Sequence, residues 1–398
     1  MYRTIFYVLC LLTGLSAAIS PNDSLAVKAI LDANGISGVT VGSVVDTIDG
    51  RVVSLLLSSR NIRTLPPDIA KLSVLRLLVL DHNELSTLPG EIDSLQELFD
   101  LSLSDNLLTT MPSHLDGLSS LAVLALDHNR FTRFPRGICG LKGIQELTLA
   151  KNDIDAIPSC IGELRSLAIL HLDSNLIDGL PAEIGDLAGL RVLTLSHNSL
   201  ADLSAAAGAL SNLAIADFSF NRLSTLPKEL FFCTRLTDLS LSGNSLTVLS
   251  PDVKNLKNLQ FFSADSNDMT SLPSEISQIP DLQALWISDN RLTELPADLG
   301  HCTKLKLLDA SINVLTGLPA GIAGLHSLRA LFLQHNRIDS LPPRIDSLSG
   351  LHLEAGSVRM TTLDISDNRL CGLKGAKRDW ADRFDPGWES KQDCSGKR

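Results

Sequence analysis

The stretch that decides the fold runs from Val74 to Gln96 and reads VLRLLVLDHNELSTLPGEIDSLQ. The pattern returns at Ser120 as SLAVLALDHNRFTRFPRGICGLK and at Asp281 as DLQALWISDNRLTELPADLGHCT. From Arg51 to Ser349 the period is 23 residues without a slip, thirteen units in all. After a nine-residue interruption, Gly350 to Val358, a fourteenth unit begins at Arg359 with RMTTLDISDNRLCGL. A period of this size overrides the two or three globular domains that 398 residues would otherwise suggest.

Within each unit, L-x-x-L-x-L ends in apolar residues alternating with polar ones, which predicts a short strand with one buried face. The residues after Leu-Pro place Ile and Leu three apart, so that a helical turn faces back onto that strand. No single unit can bury its apolar side, so units must stack and stability becomes a nearest-neighbour sum. Parallel strands sit about 4.8 Å apart and packed helices about 8 to 10 Å, so the stack must bend. The predicted fold is an α/β solenoid, a curved horseshoe with a concave parallel β-sheet and convex short helices or turns.

The tenth position is asparagine in thirteen consecutive units: Asn83, Asn106, Asn129, Asn152, Asn175, Asn198, Asn221, Asn244, Asn267, Asn290, Asn313, Asn336 and Asn368. An amide offers two donors and an acceptor, so this ladder can satisfy backbone groups where the chain leaves the strand. The first unit carries Arg60 there, as a terminal copy would. With these residues in place the chain resembles the leucine-rich repeat family, in its extracellular 23-residue form L-x-x-L-x-L-x-x-N-x-L-x-x-L-P-x-x-I-x-x-L. The resemblance implies a recognition module rather than an enzyme.

Both ends predict caps, giving a division into leader 1–20, N-terminal cap 21–50, repeats 51–373 and C-terminal cap 374–398. In the first cap Leu25, Val27, Ile30 and Leu31 mark a helix ended by Gly35, followed by a strand from Val39 to Ile48 and a hairpin turn at Asp49-Gly50. This segment is similar to the caps of extracellular leucine-rich-repeat proteins, including plant receptors, without their paired cysteines. In the tail, Trp380, Phe384 and Trp388 supply apolar area to roof the last unit. The tail's W-A-D-R-F-D-P-G-W run resembles the C-terminal caps of secreted bacterial members. Arg3, the apolar run Ile5 to Leu12 and the small Ser16-Ala17-Ala18 read as an export signal, with the mature chain starting near Ile19 or Pro21.

Six cysteines remain once Cys10 leaves with the leader. Cys233 and Cys302 occupy a buried leucine position and read as small apolar residues. Cys371 and Cys394 bracket the terminal cap and are expected to bond. Cys139 and Cys160 lie in neighbouring units, two positions out of register, and a bond there is left open by the sequence. Cysteine and histidine spacings fit no zinc site, and neither a metal nor another cofactor is expected. His82, His128, His197 and His335 precede ladder asparagines and read as surface turn residues. Phosphate loops, nucleophile elbows and glycosidase carboxylate pairs are missing from the sequence. Asn22-Asp23-Ser24 is a glycosylation acceptor pattern.

A net charge of -11 argues against nucleic acid or an anionic membrane as partner. The phase of the repeat sends the fourth, sixth and eighth positions of each unit out of the concave face. Over units two to thirteen these include Asp81, Asp100, Asp127, Glu146, Asp173, Asp217, Asp238, Asp265 and Asp309, and no Lys or Arg. Turn chemistry accounts for Asp81 and Asp265 but not for the mid-strand Glu146, Asp217, Asp238 and Asp309. The same positions place Phe261, Trp286, Leu307 and Phe332 in four successive units, which reads as an exposed interaction patch with acids at its rim.

The sequence thus reads as a secreted protein, extracellular or periplasmic, that binds a protein or peptide with a basic patch and does not span a membrane. One alternative is a glycan-binding module using Trp286 and Phe332 as stacking platforms. Another is an intracellular scaffold, since L-P-x-x-I-x-x-L also resembles Ras-binding leucine-rich-repeat proteins. Amino-terminal sequencing of the native protein is expected to begin between Ala18 and Asp23; an intact Met1 overturns the export reading.

Overall fold

The computed structural model describes residues 18–351 and 362–395. The leader up to Ala17, Cys10 and most of the Gly350–Val358 interruption lie outside the described residues. The chain divides into two compact units, Met1–Leu176 and Ile177–Arg398.

The first unit opens with helix α1, Pro21–Ala33, followed by strands β1 Val45–Ile48, β2 Arg51–Leu56, β3 Leu77–Val79, β4 Asp100–Ser102, β5 Val123–Ala125, β6 Glu146–Thr148 and β7 Ile169–His171. Pro21 suits α1 because the first turn has no intrahelical partner for its N–H. Val27, Ile30 and Leu31 bury as the apolar spacing predicts, but Leu25 is exposed, so the packed stripe starts one residue later, at Ala26. The expected strand from Val39 is shorter: Val41–Ser43 forms a 3-10 turn and only Val45–Ile48 pairs. β1 is antiparallel to β2 across Asp49 and Gly50, both at positive φ (51° and 76°), the geometry of a two-residue hairpin that favours Asp-Gly. From β2 to β7 the neighbours are parallel, shifted by one 23-residue period, as in Leu78↔Leu101 and Leu124↔Leu147.

The second unit repeats the arrangement with β8 Val192–Thr194, β9 Ile215–Asp217, β10 Asp238–Ser240, β11 Phe261–Ser263, β12 Ala284–Trp286, β13 Leu307–Asp309, β14 Ala330–Phe332 and β15 Leu363–Asp364. All are parallel neighbours in chain order. It ends in helix α2, Ala376–Phe384. In both units the segments after Leu-Pro are 3-10 turns of three to five residues, such as Gly90–Ser94 and Ser274–Gln278, too short for the nucleation of a stable α-helix. Where proline is replaced before the turn, Ser204 and Ser250 cap it, accepting the N–H of Ala206 and Asp252.

The core is a column of leucines and isoleucines from each coil, nearly all fully buried, laced by the asparagines. Asn129 is representative. Its Oδ1 accepts the Leu108 N–H at 2.9 Å, and its Nδ2 donates to Leu103 O at 2.9 Å in the preceding coil and to Leu126 O at 3.2 Å in its own. Asn106, Asn221, Asn290 and Asn336 repeat these three bonds within their units.

The caps satisfy the strands that lack a next coil. At the start the buried Asp23 accepts the Val52 N–H at 2.8 Å and pairs with Arg51 at 3.0 Å. At the end Asp385 accepts the Ile365 N–H, Gln392 bonds Leu370 N–H and Ile365 O, and the Asp393 N–H donates to Asn368 O. Trp380 and Trp388 are buried over the final coil, their indole N–H groups donating to Leu348 O and Asp382. The Cys371–Cys394 disulfide closes this roof, and Cys139–Cys160, left open by the sequence, is also bonded, with Cα atoms 5.8 Å apart. Cys233 and Cys302 are fully buried thiols whose pKa burial pushes up to about 11, which keeps them protonated and unreactive.

Removing one rung should be felt across two coils. Asn129→Ala strands the Leu108 N–H and takes one of two ladder donors from Leu103 O and Leu126 O; it is expected to cost about 1 to 3 kcal/mol, read as a lower urea midpoint. Asn212→Ala, which loses two exposed bonds, to Ala188 O and from Arg235, is the control and should change stability by less than about 0.5 kcal/mol.

Candidate functional site

The strand face is built by elimination. In most coils the N–H groups at the seventh and ninth positions donate to the next coil, as Leu80 does to Ser102 O and His82 to Ser104 O. The eighth N–H has no place in that ladder, and an aspartate often takes it. Asp81 accepts the Ser104 N–H at 2.9 Å, Asp127 that of Ala150 at 2.7 Å and Asp265 that of Ser288 at 2.7 Å, each one coil onward. Asp217, Asp309 and Asp364 do the same two residues ahead in their own coil, for Ser219, Ser311 and Ser366. A serine or threonine hydroxyl of the coil that donates the N–H adds a second bond in all six cases, from Ser102, Thr148, Ser219, Ser288, Ser311 and Ser366.

This corrects the reading of the mid-strand acids. Asp217 and Asp309 do have a structural reason, and the signal was present as Asp-x-Ser at 217–219, 309–311 and 364–366. Asp309 is only 5% exposed, so it is not a rim charge. Glu146 and Asp238 have no such backbone role; Asp238 accepts a bond from the Thr237 hydroxyl, and both remain partly exposed. Asp100 is buried, and Asp173 is partly exposed with His171 Nδ1 at 4.0 Å. Burial, with the nearby Asp309 charge a lesser cause, holds the Asp265 carboxyl above the usual carboxylate range against the bonds from Ser288.

In the second unit the fourth positions run Ile215, Asp238, Phe261, Ala284, Leu307 in register across β9 to β13, and the sixth run Asp217, Ser240, Ser263, Trp286, Asp309. Phe261 is 40% exposed, Trp286 and Leu307 are partly exposed, and Leu285 and Ile287 beside Trp286 are fully buried. The structure therefore brings Phe261, Trp286 and Leu307 together around the small Ala284. Phe332 is a correction: set in register between Asp309 and Asp364, it is only 3% exposed. At a strand spacing of about 4.8 Å, side chains on one face can cover a neighbour, and this ring packs rather than projects.

The sequence reading also missed the ninth position. In every coil it is left-handed: φ lies between 51° and 57° from Ser59 to Asp367, and is 67° at Gly243. Its side chains form a ridge along the face. Asp105 lies between His82 and His128, 3.4 and 3.2 Å from their Nδ1 atoms, and His197 stacks on Phe220 with ring centroids 4.3 Å apart. Gly243 is required beside that stack, because a Cβ there would meet the Phe220 ring at 2.6 Å. Among the described residues no group of three His, Cys, Asp or Glu side chains could hold a metal ion, and no helix is long and apolar enough to cross a membrane.

The raised Asp265 pKa makes a signed prediction. An acid whose folded pKa lies above its unfolded value of 3.8 destabilises the fold once ionised, so its penalty is present above the folded pKa and gone below 3.8. Asp265→Asn keeps the acceptor for Ser288 and removes the charge. Its melting temperature should be at or above that of the parent at neutral pH, with the difference shrinking as the pH falls through the carboxylate range.

A family profile described as leucine-rich repeat region matches residues 112–229, one described as leucine rich repeat matches 50–108 and 280–338, and a third of that name matches 235–256. No curated protein sequence gives a significant match. Among solved structures, a leucine-rich-repeat protein of Leptospira interrogans is 32% identical over 84% of this chain and 81% of its own, with a TM-score of 0.75. The PEPR1–AtPEP1 complex is 27% identical, covering 91% of this chain and 54% of that one, with a TM-score of 0.75. The ectodomain of the plant membrane receptor kinase GASSHO1/SCHENGEN3 from Arabidopsis thaliana, in complex with CASPARIAN STRIP INTEGRITY FACTOR 2, is 26% identical over 87% and 47%, with a TM-score of 0.51. The chain spans about half the length of these last two. Repeat, ladder, register and profiles agree: the chain belongs to the leucine-rich repeat family.

Proposed function

We propose that this protein is a secreted binding protein that holds a protein or peptide with a basic patch on the strand face of its second unit. The observation that carries the reading is the cluster of Phe261, Trp286 and Leu307, partly exposed on rigid strands, on a face without Lys or Arg at its outward positions. Large rings held at low entropy cost are efficient anchors. Asp217, Asp238 and Asp265 supply the acidic field that draws a basic partner, while Asp309 and Phe332 support the face from within. The complexes of PEPR1 with AtPEP1 and of GASSHO1/SCHENGEN3 with its factor support the assignment of binding to this kind of scaffold. Two disulfides fit an oxidising compartment outside the cytoplasm.

The test separates binding from folding. Trp286→Ala should leave the melting temperature close to that of the parent and weaken partner binding by about 2 kcal/mol or more. Leu285→Ala, on the buried side of the same strand, should cost about 2 to 5 kcal/mol of stability. Asp238→Lys should slow association at low salt and matter less at high salt. If Trp286→Ala destabilises the fold like Leu285→Ala and leaves affinity intact, the face is not the binding surface.

A further inference from the structure

The left-handed ridge holds one residue that the fold itself does not explain. Of the fourteen ninth positions, most carry Asp, Ser, His, Lys or Gly. Asn, Asp, His and Gly are the residues that tolerate positive φ best, through short polar side chains or the lack of a Cβ. Two are large and apolar: Phe220 at φ 53°, 51% exposed, and Ile312 at φ 52°, 49% exposed. Phe220 regains part of its cost from the stack on His197 and the close fit over Gly243. Ile312 has no ring to stack and stays half exposed. Its ridge neighbours are Asp289, bonded to the Ser266 hydroxyl, and His335, which faces Asp367 at 3.3 Å. Its backbone is held in place by bonds from Ile312 N–H to Gln334 O and from Asn290 N–H to Ile312 O.

A β-branched residue at positive φ is an outlier with a strained backbone, and leaving it half in water returns little. Strain retained without a packing reward points to a use outside the chain. Ile312 shares its coil with Leu307, five residues further along and past Asp309 and Ser311, and lies one coil beyond Trp286, so it adds a second apolar point on the ridge side of the face. The carboxylates near it are Asp289 on the ridge, Asp265 on the face and Asp367 beyond His335; of the two exposed arginines in the flanking coils, Arg291 is paired with Asp268 at 2.6 Å and Arg337 lies two residues past His335.

We propose that Ile312 is a docking residue, kept in a strained conformation because an extended partner segment with apolar side chains flanked by Lys or Arg covers it, one apolar group on Ile312 and another on Leu307, with the cations toward Asp289 and Asp265. This rests on the reading of the strand face as a binding surface.

The probe is a phage-displayed library of random peptides panned on the whole disulfide-bonded protein, with the selected peptides then titrated against variants. Ile312→Asn suits the backbone better, so its melting temperature should rise while affinity for the selected peptides falls about tenfold or more. Ile312→Leu, which stays apolar, should keep most of the affinity, and Asp289→Lys should weaken binding chiefly at low salt. Selected peptides should pair an apolar residue with Lys or Arg. Peptides that bind Ile312→Asn as tightly as the parent but lose affinity for Trp286→Ala overturn the role of Ile312 and leave the face standing. Peptides indifferent to both variants, or a library without salt-sensitive binders, overturn the face reading together with it. An unchanged or lower melting temperature for Ile312→Asn removes the strain on which the proposal is built.

Discussion

The structure depends on one side chain used over and over: an asparagine amide that bonds its own coil and the coil before it. Its acceptor takes an N–H of the preceding coil, and its donors take carbonyls from both coils. These groups belong to a chain leaving a strand of only three residues, where neither sheet nor helix can satisfy them. Left unpaired in an interior of leucines they would cost about 1 to 3 kcal/mol each. The ladder thus fixes the stacking distance and the register together, and it allows coils of so little regular structure to form a specific fold.

The ends show the same constraint in reverse. Where no further coil exists, Asp23 takes over at one end and Asp385, Gln392 and the Asp393 backbone at the other, each bonding groups that a neighbouring coil would have bonded. Two buried tryptophans and a disulfide then hold the final substitute in place. Capping is therefore a question of hydrogen bonds as much as of covering apolar surface.

The acidic face has two origins that the structure separates. Six aspartates answer the unpaired eighth N–H, either one coil onward or two residues ahead, and are fixed by the architecture. Asp238 and Glu146 have no such duty. A carboxylate serving a backbone N–H still contributes charge to the field above the sheet when it is partly exposed, as Asp217 and Asp265 are.

Much of this could be read from the chain alone. The unbroken period of 23, the asparagine column and the alternation of leucines determined the coil, the strand and its outward positions, because a fixed period leaves one consistent phase for stacking. The hairpin at Asp49-Gly50, the cap disulfide at Cys371 and Cys394 and the burial of Cys233 and Cys302 follow from local rules of the same kind. What the chain did not reveal depends on neighbours 23 residues away. Whether Phe332 projects or packs is decided by the side chains beside it, and whether Asp309 is a rim charge or a backbone acceptor by which N–H the sheet leaves over. The pairing of Cys139 with Cys160 is set by how two coils lie on each other, and the strain at Ile312 by a backbone angle that the ladder imposes on every coil. Repetition encodes the backbone, which local pattern can specify; exposure is a property of packed surfaces, and only the tertiary structure decides it.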